Sequence, residues 1–467
     1  MQQVAPLPLV EPSSPLTPSL PPGPRQWPLV QLLRWIRRPI PFMQECAQRF
    51  GDCFTVSFPI AGQRIVFFSD PAAIKEIFTG DMENLRAGEA NAIVRPLLGA
   101  NSMLVLDGAQ HARERRIMMP PFHGERMQVY GEQMRAIADR SIDAWPLNTP
   151  FPIHTAMQGI TLDVILRTVF GLDESETLVQ LRDRLIRLLS NAAQPFLLLP
   201  WLQIDLGPYS PWGKQVRLKK EIDSLLFAIF AQRRAEGTAG RHDILTMLLD
   251  ARYEDGQPLS DQHLRDEMLT LLIAGHETTA TSLSWICSRI LPRPDVMGKL
   301  RAELRAVVGT GPVTAKHMAQ LEYLDATIKE TARLNPIVPL VGRRLQTPTR
   351  IGGRDLPAGA VAAPCIYLTH RRSDLWPEPE QFNPDRFLGK KPSPYEFFPF
   401  GGGVRYCLGA AFATYEMKIV LAETLLRTEL HLAPGYIPKM VRRGITFAPA
   451  EGVPVVVTKR GAVAAPE

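Results

Sequence analysis

The chain has 467 residues, 45% hydrophobic and 21% charged, with a formal charge of +6, which fits a globular protein with a large core and allows one to three domains. Its basic residues are dispersed among acids, without a Lys/Arg tract interleaved with aromatics, so nucleic acid is not an expected partner. Its five cysteines, Cys46, Cys53, Cys287, Cys365 and Cys407, include no C-x-x-C pair, which argues against a disulfide framework or zinc ribbon and for a reducing cytoplasm.

Residues 1–28 are rich in proline and are expected to form an extended or disordered leader to a single domain over 29–467. They lack the pattern of a signal peptide. No stretch reaches the about 18 apolar residues that a spanning helix requires. The most lipophilic run, PFLLLPWLQIDL at 195–206, is short and contains Pro200, and reads as a core, substrate-entrance or membrane-brushing segment.

After Pro41 a short helical pattern leads to two strands, 53–58 and 64–69, joined as a hairpin through the turn at 59–62. Asp70-Pro71 opens a helix with Ile74, Ile77 and Phe78 on one face. Residues 83–108 read as a long irregular loop and a candidate wall of a binding site. In DGAQHARERRIMMPPF, His111 and Arg115 are four apart and share a helical face. Taken by themselves they read as part of a solvated basic stretch, because Arg113 and Arg116 lie beside them.

Helical periods dominate residues 127–249. A long helix is then predicted over 260–291, about 48 Å at 1.5 Å per residue, opened by Ser260-Asp261. Within its LLIAGHETTATS segment Gly275 weakens the helix, and the Thr278 hydroxyl can reach the carbonyl of Ala274, so a local opening is expected. Glu277 places a carboxylate in an apolar segment, where water or a partner must meet it. That acid and alcohol fit either proton delivery or a polar stripe around a packing glycine.

Glu330 and Arg333 lie three apart in KETARLNP, with Arg386 of FNPDRF as a third member, and are expected to hold architecture. Beyond Asn335 the pattern is mixed, with strand-like RIGG and VAAP among turns. Residues 397–409 read FFPFGGGVRYCLG and precede a helix at 410–427. Cys407 stands where the glycines end, and the helix start is expected to lower its thiol pKa. Gly401, Gly402 and Gly403 leave room for a flat ligand near the backbone.

The order AGHETT, Glu330-x-x-Arg333, FNPDRF and FGGGVRYCLG resembles that of the cytochrome P-450 family of heme-thiolate monooxygenases. The last segment matches F-x-x-G-x-R-x-C-x-G at Phe400, Gly403, Arg405, Cys407 and Gly409. The resemblance implies a mainly α fold with small β-sheets, with heme b between the long central helix and the cysteine loop. Cys407 would be the axial thiolate. His111, Arg115, Arg405 and Arg343 would hold the propionates; Arg343 is chosen by its spacing to Gly353, with Arg344 as the alternative.

On the other face, the turn from Ala274 to Thr278 would accommodate dioxygen, Thr278 would donate to it, and Glu277 would relay protons. Segments 83–108, 195–209, 337–341 and 445–447 would wall a pocket for a lipophilic substrate such as a fatty acid, terpenoid or steroid. Electrons would pass from NAD(P)H through a ferredoxin reductase and an acidic ferredoxin docked on the Cys407 side. A cytoplasmic monomer that hydroxylates or epoxidises is the resulting expectation. The alternatives are a peroxide-using or rearranging heme-thiolate enzyme and a non-catalytic heme-binding protein.

Overall fold

The computed structural model describes residues 18–59, 63–122, 126–172, 175–192 and 202–461. Most of the leader, part of the hairpin turn and residues 195–201 of the apolar run lie outside them. Residues 18–27 carry no regular element but are tied to the fold, because Thr55 donates its amide to Pro22 O at 3.0 Å and its hydroxyl to Pro21 O at 2.7 Å. The first helix begins at Pro28, whose fixed φ suits a first helical position.

Cys53–Ser57 and Arg64–Phe68 pair antiparallel as expected. They are two strands of a five-stranded sheet, which continues through Val361–Pro364, Arg343–Leu345 and Leu85–Arg86. Arg64–Phe68 runs parallel to Val361–Pro364, so the sheet joins the two ends of the chain through a long crossover. The VAAP strand is formed, and the RIGG signal becomes one arm of a small hairpin, Thr349–Ile351 with Arg354–Leu356.

Helix starts follow their side-chain caps. Asp70 accepts the Ala73 amide at 2.9 Å and opens Pro71–Thr79, and Ser260 accepts the His263 amide at 3.2 Å and opens Asp261–Ile290. Each such cap is worth about 0.5 to 2 kcal/mol. The second helix is the axis of the molecule, with Leu264, Met268, Leu272, Leu283 and Ile290 all in the core. It packs along Ile153–Thr168, and Gly275 makes the approach close: a Cβ there would lie 2.8 Å from Ile165 Cδ1. The helix is continuous through Ala274 and Thr278, so the expected opening is reduced to Thr278 Oγ1 donating to the Ala274 carbonyl at 2.6 Å.

The reading of 83–108 as an irregular loop is corrected. The segment contains the strand Leu85–Arg86, the helices Ala87–Ala90 and Arg95–Leu98, and a 3-10 turn. Distant carboxylates satisfy its amides: Asp107 accepts from Gly88 and Glu89 at 2.7 and 2.9 Å, and Asp266 accepts from Asn101 at 3.0 Å. Composition near each amide could not reveal those caps.

Candidate heme-thiolate site

Cys407 lies between the 3-10 turn Gly403–Arg405 and the helix Ala410–Arg427. Its amide donates to Phe400 O at 3.0 Å, which closes the loop on itself. Two of the three glycines answer to Phe78: a Cβ on Gly402 would lie 2.2 Å from the Phe78 ring, and one on Gly403 would lie 2.2 Å from Phe78 O. Gly401, at φ +70°, has nothing nearer than 3.8 Å and is the one that leaves space. Packing against the end of Pro71–Thr79 therefore explains two glycines that the sequence assigned to a flat ligand.

The Cys407 side chain opens on a cleft of about 540 Å³ that Arg115, Ala411, Tyr415 and Lys418 also line. The expected lowering of its pKa is corrected. Although the sulfur is exposed on the cleft, the protein packed around it disfavours the charged form and pushes the thiol up, against the Gly409 N–H and the Arg115 charge. A cation above the sulfur is thus what would favour the thiolate.

Beside the loop, His111, Arg115, Arg343 and Arg405 converge. His111 is buried, and burial together with the charges of Arg405, Arg115 and Arg343 pushes its imidazole down to about 3. Arg343 is buried too, and burial and Arg405 push its guanidinium down to about 10. Asp107 meets Arg405 at 2.7 Å and accepts two backbone amides besides. Three guanidiniums act on His111 while Asp107, which meets Arg405, is the carboxylate among them, and this excess of positive charge fits the two propionates of heme. Strand alternation separates the two arginines of the VGRR segment: Arg343 shares a pocket with Phe78, Asp107, His111 and Arg405, while Arg344 faces Glu89 at 3.7 Å.

Ala274 is exposed although it lies midway along a buried helix, and Thr278 holds its hydroxyl on the Ala274 carbonyl beside it. Glu277 does not join them. Adjacent helical positions differ by about 100° in direction, and the carboxylate is taken up by Gln158 at 2.7 Å, His154 at 3.5 Å and Arg443 at 3.7 Å. Burial pulls Glu277 upward, but His154, Gln158 and His276 together outweigh it and hold the group below the usual carboxylate range. The sequence reading missed Asp107, Gln158, His154 and Arg443; all four act across long sequence separations and belong to no local pattern.

A thiol loop, a long central helix and a cluster of arginines around a neutral histidine fit a heme-thiolate fold. The sequence matches the family model described as Cytochrome P450 over residues 21–452. It is 41% identical to a Mycobacterium tuberculosis protein provisionally named cytochrome P450 135B1, over 88% of this chain and 85% of that protein. It is 34% identical to cytochrome P450 137 of the same organism, over 88% and 84%. Among solved structures, the cyanobacterial CYP120A1 with bound retinoic acid superposes with a TM-score of 0.84 at 27% identity, covering 95% of this chain and all of that one. A cytochrome P450DA heme domain, at TM-score 0.83 and 23% identity, shares the fold. The chain belongs to the cytochrome P450 family, and is a heme-thiolate monooxygenase in kind. No helix among the described residues is long and apolar enough to cross a membrane.

Proposed function

We propose that this chain hydroxylates or epoxidises a lipophilic small molecule with dioxygen, using Cys407 as the thiolate ligand of heme b. The observation that carries the reading is the excess positive charge of Arg115, Arg343 and Arg405 around the neutral His111, beside the single open cysteine. Bound heme supplies the activation of dioxygen and the oxidation of an unactivated C–H bond or alkene. Arg343, Arg405, Arg115 and His111 would hold its propionates by charge-assisted hydrogen bonds. Ala274, small and exposed, would leave room for the bound group, and Thr278 holds a hydroxyl proton that now bonds Ala274 O. Glu277 keeps a second proton site one residue away, in contact with the half-buried Gln158, the buried His154 and the exposed Arg443.

The segments expected to wall the substrate pocket are largely apolar. Ile445 stands exposed at the tip of the Met440–Pro449 hairpin, and Phe447 donates its amide to Ile337 O at 2.7 Å, which ties two of the expected wall segments together. A fatty acid, terpenoid or steroid matches such walls; the similar CYP120A1 was solved with retinoic acid, itself a lipophilic molecule. We assign the electron supply to NAD(P)H, a ferredoxin reductase and an acidic ferredoxin that docks near Arg115 and Lys418, with the enzyme in the cytoplasm.

The test begins with the carbon monoxide band of the reduced holoprotein that marks thiolate ligation in this family. The band is expected in the wild type and absent in Cys407→Ala; its survival in the variant would mean another ligand. A lipid library is then screened for shifts of the heme Soret band, and hits are assayed with reductase and ferredoxin against peroxide. Product only with peroxide would replace the dioxygen reading. Failure of ferredoxin-driven turnover to respond to a tenfold rise in ionic strength would remove the charged docking.

A further inference from the structure

His370 follows the short helix Ile366–Thr369 and is wholly buried. Its backbone touches the pair formed by Glu330 and Arg333, and its ring touches the start of the cysteine loop. The His370 carbonyl accepts from Arg333 Nη1 at 2.8 Å, and Nε2 stands 3.0 Å from the Phe398 amide nitrogen. An amide N–H only donates, so Nε2 carries the lone pair and the ring proton lies on Nδ1. Aromatic packing fixes the ring plane: Phe397 stacks on it at 5.2 Å, and Phe398 meets it edge to face at 5.3 Å.

The surroundings keep that lone pair free. Burial comes first and the charges of Arg333 and Arg371 add to it, so the imidazole is pushed well below its ordinary range, against the backbone groups of Arg333 and Ala332. The nearby acids are already engaged: Glu330 takes two bonds from Arg333 at 2.7 and 2.8 Å, and Glu380 pairs with Arg371 at 3.1 Å. Trp376 and Phe387, packed on the same Phe397, carry no charge.

From Phe398 the constraint runs in two directions. Along the chain, Phe398 O accepts the Gly401 amide at 2.9 Å, and Phe400 O accepts the Cys407 amide at 3.0 Å. Across the fold, the Phe398 ring meets Phe78 at 5.5 Å, the residue that excludes a Cβ at Gly402 and Gly403 and over which Arg343 lies at 5.8 Å. One accepted amide thus stands behind both the cysteine loop and the arginine cluster. A phenylalanine at 370 would keep the stacking but leave this buried amide without its acceptor, and the loop would have to move to satisfy it.

We propose that His370 is a positioning residue for the heme ligand: its Nε2 lone pair fixes the Phe398 amide and, through it, the loop that holds Cys407 in place to bind iron as a thiolate. It acts through Phe398 and not on the iron. The inference rests on the reading of Cys407 as the thiolate ligand.

The test compares wild type, His370→Phe and His370→Gln as reduced carbonyl holoproteins. Phenylalanine keeps a ring without the lone pair, and glutamine offers a carbonyl near the same place. In urea, the thiolate carbon monoxide band is expected to disappear severalfold faster in His370→Phe than in wild type. The heme midpoint potential of that variant should rise as donation from the sulfur weakens. His370→Gln should return both toward wild type. Wild-type behaviour in His370→Phe overturns the proposal, and so does an equal loss in both variants, because ring shape and not the lone pair would then be responsible. Absence of the thiolate band from wild type itself would instead overturn the reading of Cys407. Should His370→Phe hold no heme, the tautomer decides. Nitrogen-15 histidine NMR of the wild-type ferrous carbonyl form, assigned through contacts with Phe397 and Phe398, should show the proton on Nδ1 across neutral pH; a proton on Nε2 overturns the proposal.

Discussion

The Arg333 guanidinium and the Glu330 carboxylate meet through two parallel bonds, Nε to Oε2 at 2.7 Å and Nη2 to Oε1 at 2.8 Å, with neither side chain exposed. Arg333 also donates to His370 O at 2.8 Å and Pro379 O at 2.7 Å, and Glu330 accepts the Asn383 amide at 2.9 Å. Arg386 completes the group at 3.4 Å from Glu330. The pair thus fastens the segment before the cysteine loop to the helix Glu322–Leu334.

Arg333→Ala is expected to leave the buried Glu330 with Arg386, at 3.4 Å, as its remaining cation and to free carbonyls at His370 and Pro379. A loss of about 3 to 5 kcal/mol follows for breaking a buried pair from one side. Heme content and urea unfolding midpoints measure it, and a folded variant with full heme would make the pair peripheral.

Arg343 and Arg344 give a paired comparison. Arg343→Gln removes a charge from the His111 pocket, and at about 1.5 to 3 kcal/mol for a charge-assisted bond heme loss should accelerate roughly ten- to hundredfold. Arg344→Gln loses only a contact to Glu89 and should release heme at the wild-type rate. Transfer of heme to an excess of apomyoglobin reads both; equal rates would disprove the assignment.

Thr278→Ala deletes the hydroxyl that now bonds Ala274 O. Substrate binding should persist while peroxide release per NAD(P)H rises severalfold. Unchanged coupling would take the proton-holding role from Thr278.

Glu267 provides a pH signature away from the thiolate. It is wholly buried; Oε1 accepts the Met103 amide at 2.8 Å, and Oε2 has no partner among the described residues. Burial pushes its carboxyl up to about 8, opposed by the Met103 amide and aided by the charges of Glu114 and Asp266. Between the ordinary value of 4.5 and 8, the folded state holds this proton and the unfolded state does not, so stability falls as pH rises through that window. Glu267→Gln mimics the protonated form and should remove up to about 1.4 kcal/mol of that fall per pH unit. Denaturant unfolding at pH 5 and pH 8 tests it; identical pH dependence in variant and wild type would refute the buried proton.

The sequence by itself determined the parts whose cause lies within a few residues. Asp70-Pro71 and Ser260 open helices because a side-chain oxygen reaches an amide three positions on, and the spacing from Phe400 to Gly409 defines the cysteine loop. For the VGRR segment the sequence preferred Arg343 by its spacing to Gly353 and left Arg344 as the alternative. Which of them faces His111 was decided only when Arg343–Leu345 paired with Val361–Pro364. The folded chain also reassigned Gly402 and Gly403 to Phe78, filled 83–108 with short helices capped by Asp107, and turned Glu277 to His154 and Arg443. Those outcomes depend on groups separated by as many as 325 positions, the distance along the chain from Phe78 to Gly403. No local rule encodes such contacts, because burial and partner charge exist only once distant elements are packed together.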